Sequence, residues 1–334
     1  MLGKKIGLDL GSTIIRLHVR GEGVAISEPA AVAIIPETGR VLSVGIQALS
    51  DAGRSGVALC RPLQGSSVID EVALTAAIQH LVGRAVGRQR IFRPDVMIAV
   101  PSAMNGGHRR AVLEAATRAG ARTAYLIDIP LAAAIGAGVP VATPRGHLVA
   151  DVGGDLTEVA VVAMEGMVVH RRLAHGGRQL TADIARRLTA ISGAEVDEVA
   201  AEEAKIEIGS AVPLQEERTL RIPARSSADE ADVEVTVSSA DVETAMTERL
   251  RELSDVVREV VAECPTRLRL DITERHGLLL TGGGAKLRGL DRYLAVATGL
   301  RATVAAAPET CTARGTGTAL ESLDLVRRNF LYVR

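Results

Sequence analysis

The chain has 334 residues, with 39 Lys and Arg against 40 Asp and Glu. It is long enough for a substantial core and two domains, and its formal charge of −1 gives no electrostatic reason to bind nucleic acid. Aromatics are nearly absent (no Trp, three Tyr, two Phe), which removes the stacking platforms of single-strand binders and leaves Ala, Val, Leu and Ile to build closely packed α/β layers. Three widely spaced cysteines (Cys60, Cys264, Cys311) with no CxxC pair, and seven histidines with no HExxH or HxxxH pair, argue against a disulfide framework or structural metal and fit a reducing cytosol.

Residues 4–10, 15–20, 24–35 and 40–45 read as β-rich, with turns at Gly21-Glu22-Gly23 and Glu37-Thr38-Gly39. A first strand at the very start leaves no room for a signal peptide, and no apolar run reaches the ~18–20 residues of a membrane span. A helical pattern covers 68–86. A buried strand over 95–100 then stops at Pro101-Ser102, an amphipathic helix over 107–119 ends at Gly120, a short strand covers 125–127, and Ile129-Pro130 leads into a small-residue helix over 131–138. Strand, helix, strand, helix implies a sheet with helices on its faces. The order restarts with strands at 147–152, 158–164 and 167–174, followed by helices over 178–191 and 195–209. Residues 218–237 read as two strands around Ser226-Ser227-Ala228-Asp229-Glu230, and Ser238-Ser239-Ala240-Asp241 opens a helix that runs to Val261, before Pro265. The duplication is one of architecture, with no short-period repeat.

A glycine-rich turn recurs three times, each after an apolar β-type run: Asp9-Leu10-Gly11-Ser12-Thr13, Asp151-Val152-Gly153-Gly154-Asp155 and Thr281-Gly282-Gly283-Gly284-Ala285. Glycine lets the backbone approach an anion and turn N–H groups toward it, so such loops suit phosphate. Two begin with Asp at a strand end, about 140 residues apart, which suggests two similar lobes facing one nucleotide.

With these turns, further segments resemble the actin, sugar kinase and DnaK-type chaperone ATPase superfamily, and within it the MreB/Mbl family of bacterial actin homologues. They include SEPAAVAI (27–34), RPLQGSSVID (61–70), VPSAMNGGHRRAVLEAATRAGAR (100–122), PLAAAIGAGVPV (130–141), EEAKIEIGSAVPL (202–214), LLTGGGAKLRGLDRYL (279–294) and PETCTARGTGTALE (308–321). The resemblance covers nearly the whole chain. It implies an α/β, actin-like ATPase fold of two similar lobes, each a mixed β-sheet with flanking helices, around a cleft holding ATP and Mg²⁺. Lobe I would comprise 1–143 plus 310–334, with a small subdomain at about 32–66, and lobe II 144–309, with one at about 178–240. Asp9, Gly11, Ser12, Thr13, Ile14 and Ile15 match the first phosphate loop, and Asp151, Gly153, Gly154, Asp155 and Thr157 the second. Glu202, Glu203 and Lys205 fall where the family contacts ribose and base, and Gly282, Gly283, Gly284, Ala285 and Lys286 match its adenosine loop. Asp9 and Asp151 are the candidate holders of hydrated Mg²⁺.

The chain departs from the family inside this cleft. Where relatives read Glu-Glu-Pro, with the second Glu positioning the attacking water, it has Asp128-Ile129-Pro130. Ile129 has no polar atom to orient water or take a proton. Asp128 either caps the following helix, the favoured reading, or substitutes after a backbone shift. Asp155 places a carboxylate where phosphate oxygens would sit, which repels them unless a cation intervenes. Leu156 removes a hydroxyl donor, and Ile14 stands where the family has Asn. Together these changes imply a nucleotide that is held but turned over weakly.

By resemblance the chain forms filaments or homo-oligomers through head-to-tail contacts. It would lie in the cytoplasm at the inner face of the membrane and work with cell-shape and cell-wall synthesis proteins. Ile91 and Phe92, flanked by Arg90 and Arg93, fall where relatives insert an apolar loop into the membrane; the alternative is that Phe92 packs under a sheet edge. The basic-aromatic tail Arg327–Tyr332 is a second possible contact or a frayed end. A small-molecule kinase of the superfamily, a chaperone ATPase and a non-hydrolysing static paralogue are the competing readings. No sugar-binding constellation lies near Pro101-Ser102, and the chain ends at Arg334 with no substrate-binding domain of the chaperone type.

Overall fold

The computed structural model describes residues 3–87, 93–226 and 229–322, and the backbone of 332–333. The first half forms β1 (Lys5–Leu10), β2 (Ile14–Val19), β3 (Gly23–Pro29), β4 (Val32–Ile35), β5 (Arg40–Val44), α1 (Ile46–Asp51), β6 (Ala58–Cys60), β7 (Leu63–Gln64), β8 (Ser67–Val68), α2 (Glu71–Val86), β9 (Asp95–Val100), α3 (Gly106–Arg118), β10 (Thr123–Asp128) and α4 (Ile129–Gly136). The second half forms β11 (His147–Val152), β12 (Thr157–Ala163), β13 (Gly166–Leu173), α5 (Gly177–Ser192), β14 (Ala194–Glu195), α6 (Glu198–Glu207), β15 (Thr219–Ser226), β16 (Asp232–Ser238) and α7 (Ser239–Glu263). It continues through α8 (Thr266–Asp271), β17 (Leu278–Thr281), α9 (Leu290–Thr298), β18 (Ala302–Val304), α10 (Cys311–Glu321) and β19 (Tyr332–Val333).

Two mixed sheets share one plan. In the first, the antiparallel run β3-β2-β1 continues into β9 and β10, each parallel to its predecessor, and β19 closes the edge. In the second, β13-β12-β11 is antiparallel and β17 and β18 follow in parallel. The duplicated strand order read from the sequence is therefore a duplicated topology.

The central strands β9, β11 and β12 are buried along their whole length, as expected where helices cover both faces of a sheet. On the outer face of the first sheet, Ile6, Leu8, Ile15 and Leu17 pack with Leu74, Ile78 and Leu81 of α2. Beside the second sheet, Leu148 and Leu280 pack with Ile184 and Leu188 of α5 and Met246, Leu250 and Val257 of α7. A third cluster draws on both sheets, joining Met97, Ala99 and Ile127 to Val149, Ala160 and Val162 through Leu131 of α4 and Leu320 of α10. This shared core fixes the strand ends that carry the glycine turns.

Local chemistry sets most boundaries. Asp70, Asn105, Asp197 and Ser238 each accept an N–H of the first helical turn through the side chain, so α2 begins at 71 and not 68, and α6 at 198 and not 195. The single β-rich stretch expected over 24–35 is two strands in different sheets. Ala30 N–H bonds to Thr13 O and Ala31 N–H to Pro29 O, which takes the chain out of the first ladder. Four α-helices at 46–51, 266–271, 290–298 and 311–321 lay outside the sequence reading. The last, CTARGTGTALE, contains two Gly and three Thr and has poor intrinsic propensity. It forms because it packs on α4 and β1, where Gly7 and Gly136 leave no space for a side chain.

Candidate nucleotide cleft

Asp9 and Asp151 are the penultimate residues of β1 and β11, and both are buried. Burial pushes the Asp9 carboxyl up to about 6, although the Arg16 guanidinium lies 3.5 Å away and opposes the shift. Asp151 is pushed up to about 7, first by burial and then by the negative charge of Asp9, against the hydroxyls of Thr281 (3.0 Å) and Thr312 (3.5 Å) that donate to it. Two mutually repelling carboxyls in one buried place call for positive charge between them.

The loops that follow these residues touch. A Cβ on Gly154 would lie 2.2 Å from Thr13 Oγ1 and 3.2 Å from Ser12 Oγ, so the loop after β11 meets the loop after β1 at these hydroxyls, and a side chain there would displace them. Gly11 is similarly confined by the Ile14 carbonyl. Gly282, with φ of 82°, and Gly284 pack on Val152, which brings the third loop against the end of β11. The N–H groups of Gly177 and Arg178, at the start of α5, donate to the carbonyls of Gly153 and Gly154 at 2.9 Å. Lys205 Nζ reaches the same corner, donating to Gly177 O (2.8 Å), Thr181 Oγ1 (2.7 Å) and Glu202 Oε2 (2.6 Å).

Most residues singled out in the sequence thus converge, with exceptions. Ile15 is a core residue, buried under α2, so only its backbone belongs to the loop. The Thr157 hydroxyl donates to His175 O at 2.9 Å and is fully buried. Glu203 is exposed on α6, and Lys286 is exposed 3.6 Å from Glu309.

Among the departures from the family pattern, Asp155 has its own cation. Arg178 Nη1 donates to Asp155 Oδ1 at 3.0 Å, and Gly65 N–H, from the turn between β7 and β8, donates to Oδ2 at 3.3 Å. The repulsion expected of Asp155 is therefore compensated locally, and its carboxylate ties the glycine loop after β11 to the β7–β8 turn. Leu156 leans the same way, 3.8 Å from a Cβ on Gly65, and Arg172 donates to Ser66 Oγ at 2.9 Å.

The helix-cap reading of Asp128 needs correction. Asp128 stands at the cap position of α4 but makes no side-chain cap bond; its carboxylate pairs with Arg109 at 2.5 Å. Ile129 packs against the shared apolar cluster.

Two polar groups were missed. Arg16, opposite Asp9 in the β1–β2 ladder, is a cation inside the cleft. Glu158, opposite Asp151 in the β11–β12 ladder, is 2% exposed. Its Oε1 accepts from Ser102 N–H at 2.9 Å and from the Ser102 hydroxyl, while Oε2 has no partner. Burial raises its pKa first, the Ser102 donors oppose, Asp128 adds to the rise and Arg109 counters it. The signal in the sequence was a charged residue seven places after each strand-end Asp, informative only once the register is known.

Among the described residues no three metal-ligating side chains lie together. A cation at Asp9 and Asp151 would draw its other ligands from phosphate oxygens and water, a common arrangement for Mg²⁺. The glycine-limited loops and the two high-pKa carboxyls fit such a group. Among the described residues no helix is long and apolar enough to cross a membrane.

The MreB/Mbl protein family profile matches residues 3–328. The cell shape-determining protein MreB of Escherichia coli (strain K12) is 37% identical over 333 residues, covering 97% of this chain and 95% of that protein. The cell shape-determining protein Mbl of Bacillus subtilis (strain 168) is 31% identical over 326 residues, covering 97% and 98%. Among solved structures, MreB5 of Spiroplasma citri bound to ADP superposes with a TM-score of 0.90 at 26% identity, covering 98% of this chain and 99% of that one. The MamK double helical filament, at 17% identity and a TM-score of 0.78 over 95% and 98%, shares the fold. Two mixed sheets of one topology, their strand-end carboxyls and the glycine loops between them are thus a variant of a known plan, and the chain belongs to the MreB/Mbl family.

Proposed function

We propose that this protein is an ATP-binding cytoskeletal subunit that assembles into filaments, lies at the cytoplasmic face of the membrane and serves cell shape and cell-wall synthesis. The two lobes would divide at 143/144 and 309/310, with the nucleotide between them. The observation that carries the reading is the meeting of both phosphate loops at Gly154 and Thr13, beside Asp9 and Asp151, in a chain of this family. Similarity to MreB5 solved with ADP and with AMPPNP supports nucleotide as the ligand. Mg²⁺ bound there would neutralise phosphate charge. Asp9 and Asp151 would hold it, the Gly11–Thr13 and Gly153–Gly154 backbones would cradle phosphates, and Glu202, Lys205 and Gly282–Lys286 would flank the nucleoside.

Turnover is weak in this reading, because Ile129 has no group to orient water and a positioned base contributes ~10²–10⁴-fold. Phosphate release from the purified protein is expected to be slow and to rise at least about tenfold in Ile129→Glu. A wild-type rate that already matches the variant's would sink it. Sedimentation with and without ATP, followed by electron microscopy, tests the filament; a monomer in every condition would reject it. Ile91 and Phe92, proposed to contact the membrane, lie outside the described residues. Phe92→Ser should reduce liposome co-sedimentation, and unchanged binding would remove them from that role.

A further inference from the structure

The duplication sets two residues of opposite charge in equivalent places. Asp9 and Asp151 hold matching strand ends, and the residues opposite them are Arg16 on β2 and Glu158 on β12. Arg16 shares the partly buried face of β2 with Ile14 and His18, while Ile15, Leu17 and Val19 face the core. That face carries Asp9 on the neighbouring strand, and further along it His18 packs against Gly317 of α10.

Arg16 is incompletely used. Its side chain is 14% exposed, Nη1 stands 3.5 Å from Asp9 Oδ2, and Nε is buried with no hydrogen-bond partner. A guanidinium offers five donors in a rigid fork and is well suited to bridge a carboxylate and a phosphate. The ion pair is long and the buried Nε finds no partner in the chain, so the guanidinium is not satisfied by the protein alone, and its Nη donors can serve an acceptor supplied from outside the chain. The first phosphate loop begins at Gly11, two residues beyond Asp9. A polyphosphate cradled there would sit beside two buried carboxyls, and positive charge has to separate them.

We infer that Arg16 is a phosphate-binding residue of the cleft: its guanidinium bridges Asp9 and the polyphosphate of a nucleotide, so that nucleotide binding depends only weakly on Mg²⁺. This rests on the nucleotide-binding reading above.

The test is titration calorimetry of the full chain with ADP and with ATP, in magnesium and in EDTA, for wild type, Arg16→Met and Arg16→Lys. The readout is the ratio of Kd in EDTA to Kd in magnesium. For wild type it should stay below about fivefold. For Arg16→Met it should reach about tenfold or more, the worth of one charge-assisted hydrogen bond. Arg16→Lys keeps the charge but not the fork and should fall between them. Thermal unfolding of each nucleotide-free variant checks that it is folded, and Arg16→Lys carries the comparison if Arg16→Met is not. A large ratio in wild type, or equal ratios in all three proteins, overturns the role of Arg16 while leaving nucleotide binding intact. Wild type that binds neither nucleotide in either buffer overturns the underlying reading and this inference with it.

Discussion

Gly136 of α4 and Gly315 of α10 meet backbone to backbone: a Cβ on Gly136 would lie 1.8 Å from the Cys311 carbonyl oxygen, and one on Gly315 would lie 1.8 Å from that of Ala132. The obstacles are main-chain atoms, which cannot turn aside as a flexible side chain can. The crossing carries the apolar cluster common to both sheets, so its spacing sets how the two phosphate loops approach.

Gly315→Ala is therefore expected to destabilise the protein. Alanine gains ~1 kcal/mol of helix propensity over glycine. Forcing a methyl into a closed contact costs about 3 kcal/mol. The clash wins, and a net loss of about 2 kcal/mol should lower the urea midpoint. An unchanged midpoint would mean that the helices separate at no cost.

Asp155 and Arg178 make a second stability prediction. Arg178→Ala leaves a buried carboxylate with only the Gly65 N–H, and removing one partner of such a pair costs about 3 kcal/mol. The double change Asp155→Gly with Arg178→Ala removes the stranded charge and should recover most of that loss. If the double variant unfolds as easily as Arg178→Ala alone, the two side chains are not coupled.

The nucleotide-free protein should lose stability as pH rises from about 4 to about 7. Asp9 and Asp151 have folded pKa values of about 6 and about 7, above the ordinary 3.8. In that window the unfolded chain has released protons that the folded chain retains, so the stability these groups contribute is present at low pH and lost on the way up. Chemical unfolding across the window measures the slope. Bound magnesium nucleotide should flatten it, because positive charge between the carboxyls lets them ionise without penalty.

Glu158→Gln should raise the unfolding midpoint at pH 8. The amide oxygen keeps both Ser102 donors, and the change removes a buried negative charge whose pKa burial has raised. The advantage should shrink as pH falls and wild-type Glu158 takes up its proton. Glu158→Ala, which strands the Ser102 N–H and hydroxyl, is expected to destabilise at every pH.

Glycine turns after apolar runs, Asp at strand ends, and Ser238 before α7 were legible in the sequence because each acts over one to four residues. They marked the three glycine loops and the start of α7, whereas α2 and α6 begin three residues later than the sequence reading, at Glu71 and Glu198. Where the chemistry is not local, the sequence reading went astray. Asp128 looked like a helix cap, yet its partner Arg109 lies 19 residues earlier. Asp155 looked like an unbalanced charge, yet Arg178 and, 90 residues away, Gly65 satisfy it. Helix α10 was invisible because its glycines and threonines oppose helix formation until α4 and β1 close around it.

The strand-end aspartates and the glycine turns that follow them were legible from sequence alone, because a turn after an apolar run is a local pattern that holds whatever the rest of the chain does. Which charge stands beside each aspartate, Arg16 by Asp9 and Glu158 by Asp151, was decided only in the tertiary structure. Cross-strand register is fixed by how the whole apolar face of a sheet is buried, and a slip of one residue would turn both side chains to the opposite face.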